Sequence, residues 1–344
     1  MASLAAQPRA FVAELPPASF AFVMATGIVA IAAHLQAQDA LAAAFGVVSA
    51  FGWVVLLALT GLRAALHGER VLGDLSDHAR APGFFTAVAG TAVLGSECAV
   101  FELGLPWVEG LGLIAAALWL LLTYSIFTAL TVRRDKPSLQ RGINGTWLLA
   151  VVATQAMAVL AALIAARVPQ PARLQLNFVA LSLWLLGGTV YVWLISLIFY
   201  RYTFLPFEPA DLGPAYWINM GAMAISTLAG SLLVLAAHDA PLLQSMLPFV
   251  KGFSVLYWAT GSWWIPLLVA LAVWRYAVRR FPVRFDAGYW GAVFPLGMYS
   301  VATHELATAL DLGFLLPVAG TFFWLALAAW AVVFAGQARK LRAC

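Results

Sequence analysis

Five ionisable side chains sit inside otherwise apolar stretches of this 344-residue chain: His34, Glu97, Lys251, His304 and Glu305. Groups of these types can exchange protons, attract an anion or pair with one another, and a charge deep in hydrocarbon is costly unless paired or hydrated. Their spacing implies a common depth. Glu97 lies 13 residues past Phe84, His34 lies 14 past Phe20, and His304 lies 14 past Trp290. At a helical rise of ~1.5 Å per residue, all three stand about 20 Å from the same end. Lys251 enters from the opposite side and reaches the same level, and Glu305 adjoins His304. Two readings fit. In one, Lys251 draws anions into an outer vestibule where Glu97 and the histidines titrate. In the other, which is preferred, Glu97 and Lys251 form a structural pair with the histidines at wet helix ends. His304 stays open as a proton-coupling group.

Other chemistry is poorly served. His304-Glu305 begins like a zinc-protease motif, but Thr308 stands where the second histidine belongs. The chain has no Gly-x-x-x-x-Gly-Lys phosphate loop and no Asp-rich metal motif, and its histidines and cysteines are too scattered for a metal site. No catalytic residue, metal or cofactor is expected. An enzyme reading is minor.

The second candidate is the stretch 285–305, in which Phe294 and Pro295 precede Gly297. Proline inside a helix removes one N–H and pushes against the carbonyl four residues earlier, here Gly291, so the helix bends. A large ring beside a bend and a glycine can occupy a narrow passage; it can equally be a packing residue.

Of the whole chain, 63% is hydrophobic and 10% charged, which excludes an ordinary soluble domain. The apolar runs are long enough to cross a hydrocarbon core of ~30 Å. Ten spans are expected near 20–36, 41–66, 84–103, 107–132, 146–167, 175–200, 216–237, 244–277, 289–310 and 316–338, within a single transmembrane domain covering 1–344. Several are joined so tightly that they must be antiparallel hairpins. Residues 1–19 lack the pattern of a cleavable signal peptide, and neither Cys98 nor Cys344 suggests a disulfide framework. Sixteen Lys and Arg residues, including Arg9, Arg63, Arg201, Arg275, Arg284 and Arg342, fall in the termini and the loops between hairpins, against two, Arg167 and Arg173, at the hairpin tips. That bias predicts cytoplasmic termini, and the net charge of +4 reflects orientation rather than nucleic-acid binding.

The odd-numbered spans repeat. Each follows a helix breaker and opens on an aromatic: Phe20, Phe84, Trp147, Trp217 and Trp290, spaced 64, 63, 70 and 73 residues apart. Each then carries small or polar residues: Thr26 and Gly27; Gly90 and Thr91; Thr154 and Gln155; Asn219, Gly221, Ser226 and Thr227; Gly297 and Ser300. The even spans are richer in Leu and Trp. Small residues let helices approach closely, whereas bulky apolar ones tolerate lipid. Five inner helices shielded by five outer ones follow, with the small and polar patches as candidate pore lining. A solid bundle with small-residue packing is the alternative.

FAFVMATGIV (20–29), PAYWINMGAMAIS (214–226) and FDAGYWGAVFPLGMYSVAT (285–303) resemble the tellurite-resistance/dicarboxylate transporter family, which includes fungal malate and sulfite transporters and plant slow anion channels. The resemblance spans nearly the whole chain. It implies ten helices as five hairpins in quasi-five-fold symmetry, a central pore lined by the odd-numbered helices, commonly a homotrimer, and a phenylalanine occluding the pore from the ninth helix. By motif register that role falls on Phe294. The expected function is passage of a small anion, inorganic or organic, through the pore in a cell membrane, a bacterial inner membrane by expectation. The runner-up is a proton-coupled dicarboxylate, sulfite or tellurite carrier.

Overall fold

The computed structural model describes residues 11–283 and 286–343, with side chains to Lys340. Arg9, Arg284 and Cys344 lie outside the described residues, as does the side chain of Arg342. Ten long helices carry the apolar runs: α1 (Ala21–Leu35), α2 (Asp39–Leu66), α3 (Phe85–Val100), α4 (Leu105–Val132), α5 (Leu149–Ala165), α6 (Ala172–Phe204), α7 (Ile218–Ala236), α8 (Leu247–Val273), α9 (Trp290–Leu310) and α10 (Leu316–Ala343). No strand occurs among the described residues. The connection 67–83 adds a short helix, Gly68–Leu75, and α8 runs on through a π-helical turn, Trp274–Val278.

Breaker residues start the odd-numbered helices through one shared device, a tight 3-10 turn: Pro17–Phe20, Ala81–Phe84, Gly145–Leu148, Pro214–Trp217 and Ala287–Tyr289. Proline suits such a start because its missing N–H would be an orphan there. Where proline is absent, a side chain caps the turn: Asn144 Oδ1 accepts from Thr146 N at 2.8 Å and Asp286 Oδ1 from Gly288 N at 2.7 Å.

At the other end, α1, α3 and α9 stop on a left-handed residue, Ala37 (φ 55°), Glu102 (φ 56°) and Asp311 (φ 56°). The next N–H reaches back five residues in each case: Gln38 to Ala33 O at 2.9 Å, Leu103 to Cys98 O at 3.0 Å, Leu312 to Ala307 O at 2.8 Å. This closure normally favours glycine, because a Cβ costs roughly 1–2 kcal/mol in that conformation. Ala37→Gly is therefore expected to stabilise the protein by about 1 kcal/mol in detergent unfolding; a loss of stability would show that the methyl group packs.

Each odd helix packs against the even helix that follows it, giving five hairpins, and the odd helices close a ring: α1 on α3, α3 on α5, α5 on α7, α7 on α9 and α9 on α1. Each even helix also touches the odd helix of the next hairpin, with α10 returning to α1. Inner and outer layers separate by burial. In the apolar windows of α1, α3, α5 and α7, 72% to 94% of residues are buried, against 17% to 39% in α2, α4, α6, α8 and α10. Among the described residues nine helices are long and apolar enough to cross a membrane. The remaining one is α9, 21 residues long, whose Ser300, Thr303, His304, Glu305 and Thr308 lower its hydropathy. Its place in the ring between α7 and α1 is set by packing.

Candidate functional site

The contacts of α9 fix which way each of its faces looks. Pro295 lies against Gly221 of α7, where an added Cβ would stand 2.7 Å from the proline ring. Gly297 lies against Ile28 and Val29 of α1. Ser300 Oγ donates to Ala319 O of α10 at 2.7 Å, Thr303 Oγ1 accepts from Trp258 of α8, and Tyr299 OH meets Ser262 of α8 at 2.6 Å. At ~100° per residue these contacts occupy both flanks and the back of the helix. The remaining face, turned to the inside of the ring, carries Phe294, Met298, Val301 and Glu305.

The Phe294 ring is 2% exposed. The same geometry applied to the other inner helices places Met24, Ala89, Val152 and Ala222 at its level, four or five residues past their aromatic anchors and all buried. A phenyl ring thus occupies the ring interior among mostly smaller apolar side chains, beside a proline that removes one backbone N–H from the helix.

Three threonine hydroxyls of the polar patches, those of Thr26, Thr91 and Thr154, are engaged by tryptophans of the outer helices. Trp330 Nε1 donates to Thr26 Oγ1 at 3.0 Å, Trp53 to Thr91 at 2.9 Å, Trp119 to Thr154 at 3.0 Å and Trp258 to Thr303 at 3.0 Å, while Trp184 Nε1 donates to Ser226 O at 2.8 Å. The pattern is cyclic: each outer helix bonds the inner helix of the next hairpin, and the fifth bonds the first. Gln155 Nε2 donates to Trp184 O at 3.0 Å, and Asn219 bonds Tyr202 and Tyr191 of α6. Gly90 packs on the Phe20 carbonyl and Gly221 on Pro295. These residues glue helices together. The tryptophans, read from sequence as lipid-tolerant bulk, were the signal for this lattice, since each outer helix places at least one in its middle.

The ionisable layer also comes apart. Glu97 is 2% exposed and lies between the first two hairpins, its carboxyl filling the room left by two glycines. A Cβ on Gly27 would stand 2.9 Å from Oε2, and one on Gly46 would stand 3.0 Å from Oε1. Gly27 therefore makes space for a carboxyl group. Lys251 is on α8, which packs on α7 and α9, and the Glu97–Lys251 pair is absent: neither residue forms an ion pair among the described residues. His34 sits at the tip of the first hairpin, 3.7 Å from Asp39 Oδ1. His304 Nδ1 is buried without a partner and lies off the axial face. Helical register puts Glu305 on the same face of α9 as Phe294. Its spacing of 11 residues from Phe294, about three turns, was the available signal. With no pair to break, a double-mutant cycle of Glu97→Gln and Lys251→Met is expected to be additive within about 0.5 kcal/mol; a larger coupling in detergent unfolding would restore the pair.

The chain is similar in sequence to known proteins. Residues 14–338 match the family described as "Voltage-dependent anion channel", SLAC1. An uncharacterized membrane protein of Mycobacterium tuberculosis is 42% identical over 154 residues, 45% of this chain and 78% of the relative. An uncharacterized transporter of Methanocaldococcus jannaschii is 22% identical over 339 residues, 94% of this chain and 93% of the relative.

Proposed function

Because this chain belongs to the SLAC1 family of membrane transporters, we propose that it passes small anions, inorganic or organic, along the axis of its five-helix ring, and that Phe294 closes that path. One observation carries the reading: a phenyl ring with 2% exposure on the axial face of α9, at the level where α3 and α7 contribute only alanine. A closure made of one side chain can open by rotation of that side chain, without rebuilding the ring.

The surroundings favour anions in transit over anions held. The five inner helices all begin at the end that carries the cations, so the positive ends of their dipoles gather at one mouth, each worth roughly 0.3–1 kcal/mol to a nearby anion. Farther in, the axial residues named above are apolar at the Phe294 level, and no cation replaces the hydration shell. Weak binding along a path is what conduction requires. The basic mouth is assigned to the cytoplasm on charge bias, in a bacterial inner membrane, and three copies assembling through outer helices complete the proposal.

A second reading rests on Glu305. A carboxyl group on the axial face is a candidate proton carrier, and proton-coupled carriage places a titratable group beside the substrate path. Both readings meet in one measurement, anion flux into proteoliposomes of the purified protein with and without a pH gradient. Flux down an anion gradient, indifferent to the pH gradient, is expected. Accumulation driven by the pH gradient would replace the channel by the carrier, and absence of flux for inorganic anions and small carboxylates alike would remove both.

A further inference from the structure

Three outer helices end at the basic face in a buried arginine: Arg63 of α2 (4% exposed), Arg201 of α6 (5%) and Arg275 just beyond α8 (9%). Two of them are answered by an acid of the chain. Arg63 Nη2 lies 2.7 Å from Asp74 Oδ2, and its Nε donates to Ala13 O at 3.2 Å. Arg201 Nη2 lies 3.1 Å from Asp211 Oδ1, and its Nη1 donates to Ile143 O at 2.8 Å. Arg275 has no such acid. Among the described residues its guanidinium forms no ion pair or hydrogen bond, and its Nε is buried without a partner. Aromatic rings cover its faces instead, Phe281 at 4.4 Å and Tyr276 at 5.1 Å to the ring centroids. The faces are stacked, and among the described residues the N–H edge makes no hydrogen bond.

Arg275 also lines a cleft of about 60 Å³, together with Gly213, Tyr216, Ala272, Tyr276 and Tyr289. The hydroxyls of Tyr276 and Tyr289 are 2.7 Å apart. Their mutual bond uses one O–H and leaves the other proton free to donate. Among the described residues no acid lines the cleft. The flanking acids are engaged: Asp211 with Arg201, and Asp286 capping Gly288 N at 2.7 Å.

We infer that this cleft is an anion site, in which a single phosphate group takes the place at Arg275 that Asp74 and Asp211 take at the two equivalent arginines. The planar guanidinium fork matches phosphate oxygens in a way a point charge does not, and a cation buried without an anion is the unfavourable state that binding relieves. The cleft admits one compact group, so the remainder of any larger ligand lies outside it. It sits where an outer helix leaves the apolar layer, so the phosphate can come from a phospholipid headgroup or from free solution.

The test follows thermal unfolding of the full purified chain in a neutral, phosphate-free detergent. Inorganic phosphate is titrated in one arm and short-chain phosphatidylglycerol is doped into the micelles in another, with chloride at matched ionic strength as the control. A saturable rise of the unfolding midpoint above the chloride control is expected, and the arm that gives it at lower concentration identifies the source. Arg275→Gln should lose the rise, whereas Arg279→Gln, a neighbouring exposed arginine, should keep it. In case Arg275→Gln does not fold, Ala272→Asp supplies the missing carboxylate from one helical turn away; it should raise the midpoint by itself and abolish the response to both probes. A response of equal size in Ala272→Asp and the unaltered protein would overturn the inference, as would an unaltered protein that responds to neither probe.

Discussion

Replacing Phe294 with alanine is expected to raise anion flux by at least an order of magnitude while leaving anion-over-cation preference largely intact. An anion passing the ring level must displace the phenyl group, and that displacement adds to the barrier. Each ~1.4 kcal/mol removed from a barrier raises a rate about tenfold, and alanine removes the obstruction without adding charge. Leucine should give an intermediate flux, since it still fills the space but rotates and bends more easily. The competing reading, a packing residue, carries an equally large and opposite expectation. A buried phenylalanine cut to alanine typically costs about 3–5 kcal/mol, so a purely structural Phe294 predicts lower stability with no gain in flux. Flux and thermal unfolding on the same preparation separate the two, and a destabilised variant that conducts no better would end the gate proposal.

The second large effect is expected far from the axis, at Gly145. This residue opens the turn before α5 and lies directly on the turn before α7. A Cβ there would collide with the backbone carbonyl of Ala215 and stand 2.8 Å from Tyr216 Cα. The atoms in the way are main chain, continuous with α7, so no side-chain rotation relieves the clash. Overpacking typically costs about 1–3 kcal/mol, and Gly145→Ala should lie at or above the top of that range, because two neighbouring turns must separate. Gly61 and Gly252 provide the contrast. Both are helical, and a Cβ at either meets nothing within 4 Å, so alanine there should stabilise by roughly 0.5–1 kcal/mol through helix propensity. Comparable unfolding midpoints for all three variants would show that the turn before α5 has slack the structure does not suggest.

How far the sequence reached depended on which coordinate a residue type encodes. Position along a helix was legible. The breakers before Phe20, Phe84, Trp147, Trp217 and Trp290 fixed where each inner helix starts, and the contrast between small and bulky residues sorted inner from outer. Direction around a helix was not. Thr26, Thr91 and Thr154 stood at the right depth to line a passage, but only the packing shows their hydroxyls turned toward Trp330, Trp53 and Trp119. Glu97 and Lys251 shared a depth and nothing else, since one belongs to a seam between the first two hairpins and the other to an outer helix of the fourth. Phe294 is singled out by its motif register and its proline, and the structure adds that its ring is buried. Glu305 was read only as a neighbour of His304, although its spacing of 11 residues from Phe294 states the same face.

The hydrogen bond from Trp330 to Thr26 joins residues 304 positions apart, and this has a bearing on how the molecule is assembled. A ribosome delivers the hairpins one at a time, and each newcomer can lean on the one before it. The first hairpin is different: the flank of α1 that receives α9 has no occupant until the fifth hairpin has been made, and until then Thr26 and the neighbouring side chains face lipid, chaperone or another chain. Ring closure consequently waits for the fifth hairpin, which converts an open arc of four hairpins into a structure without ends.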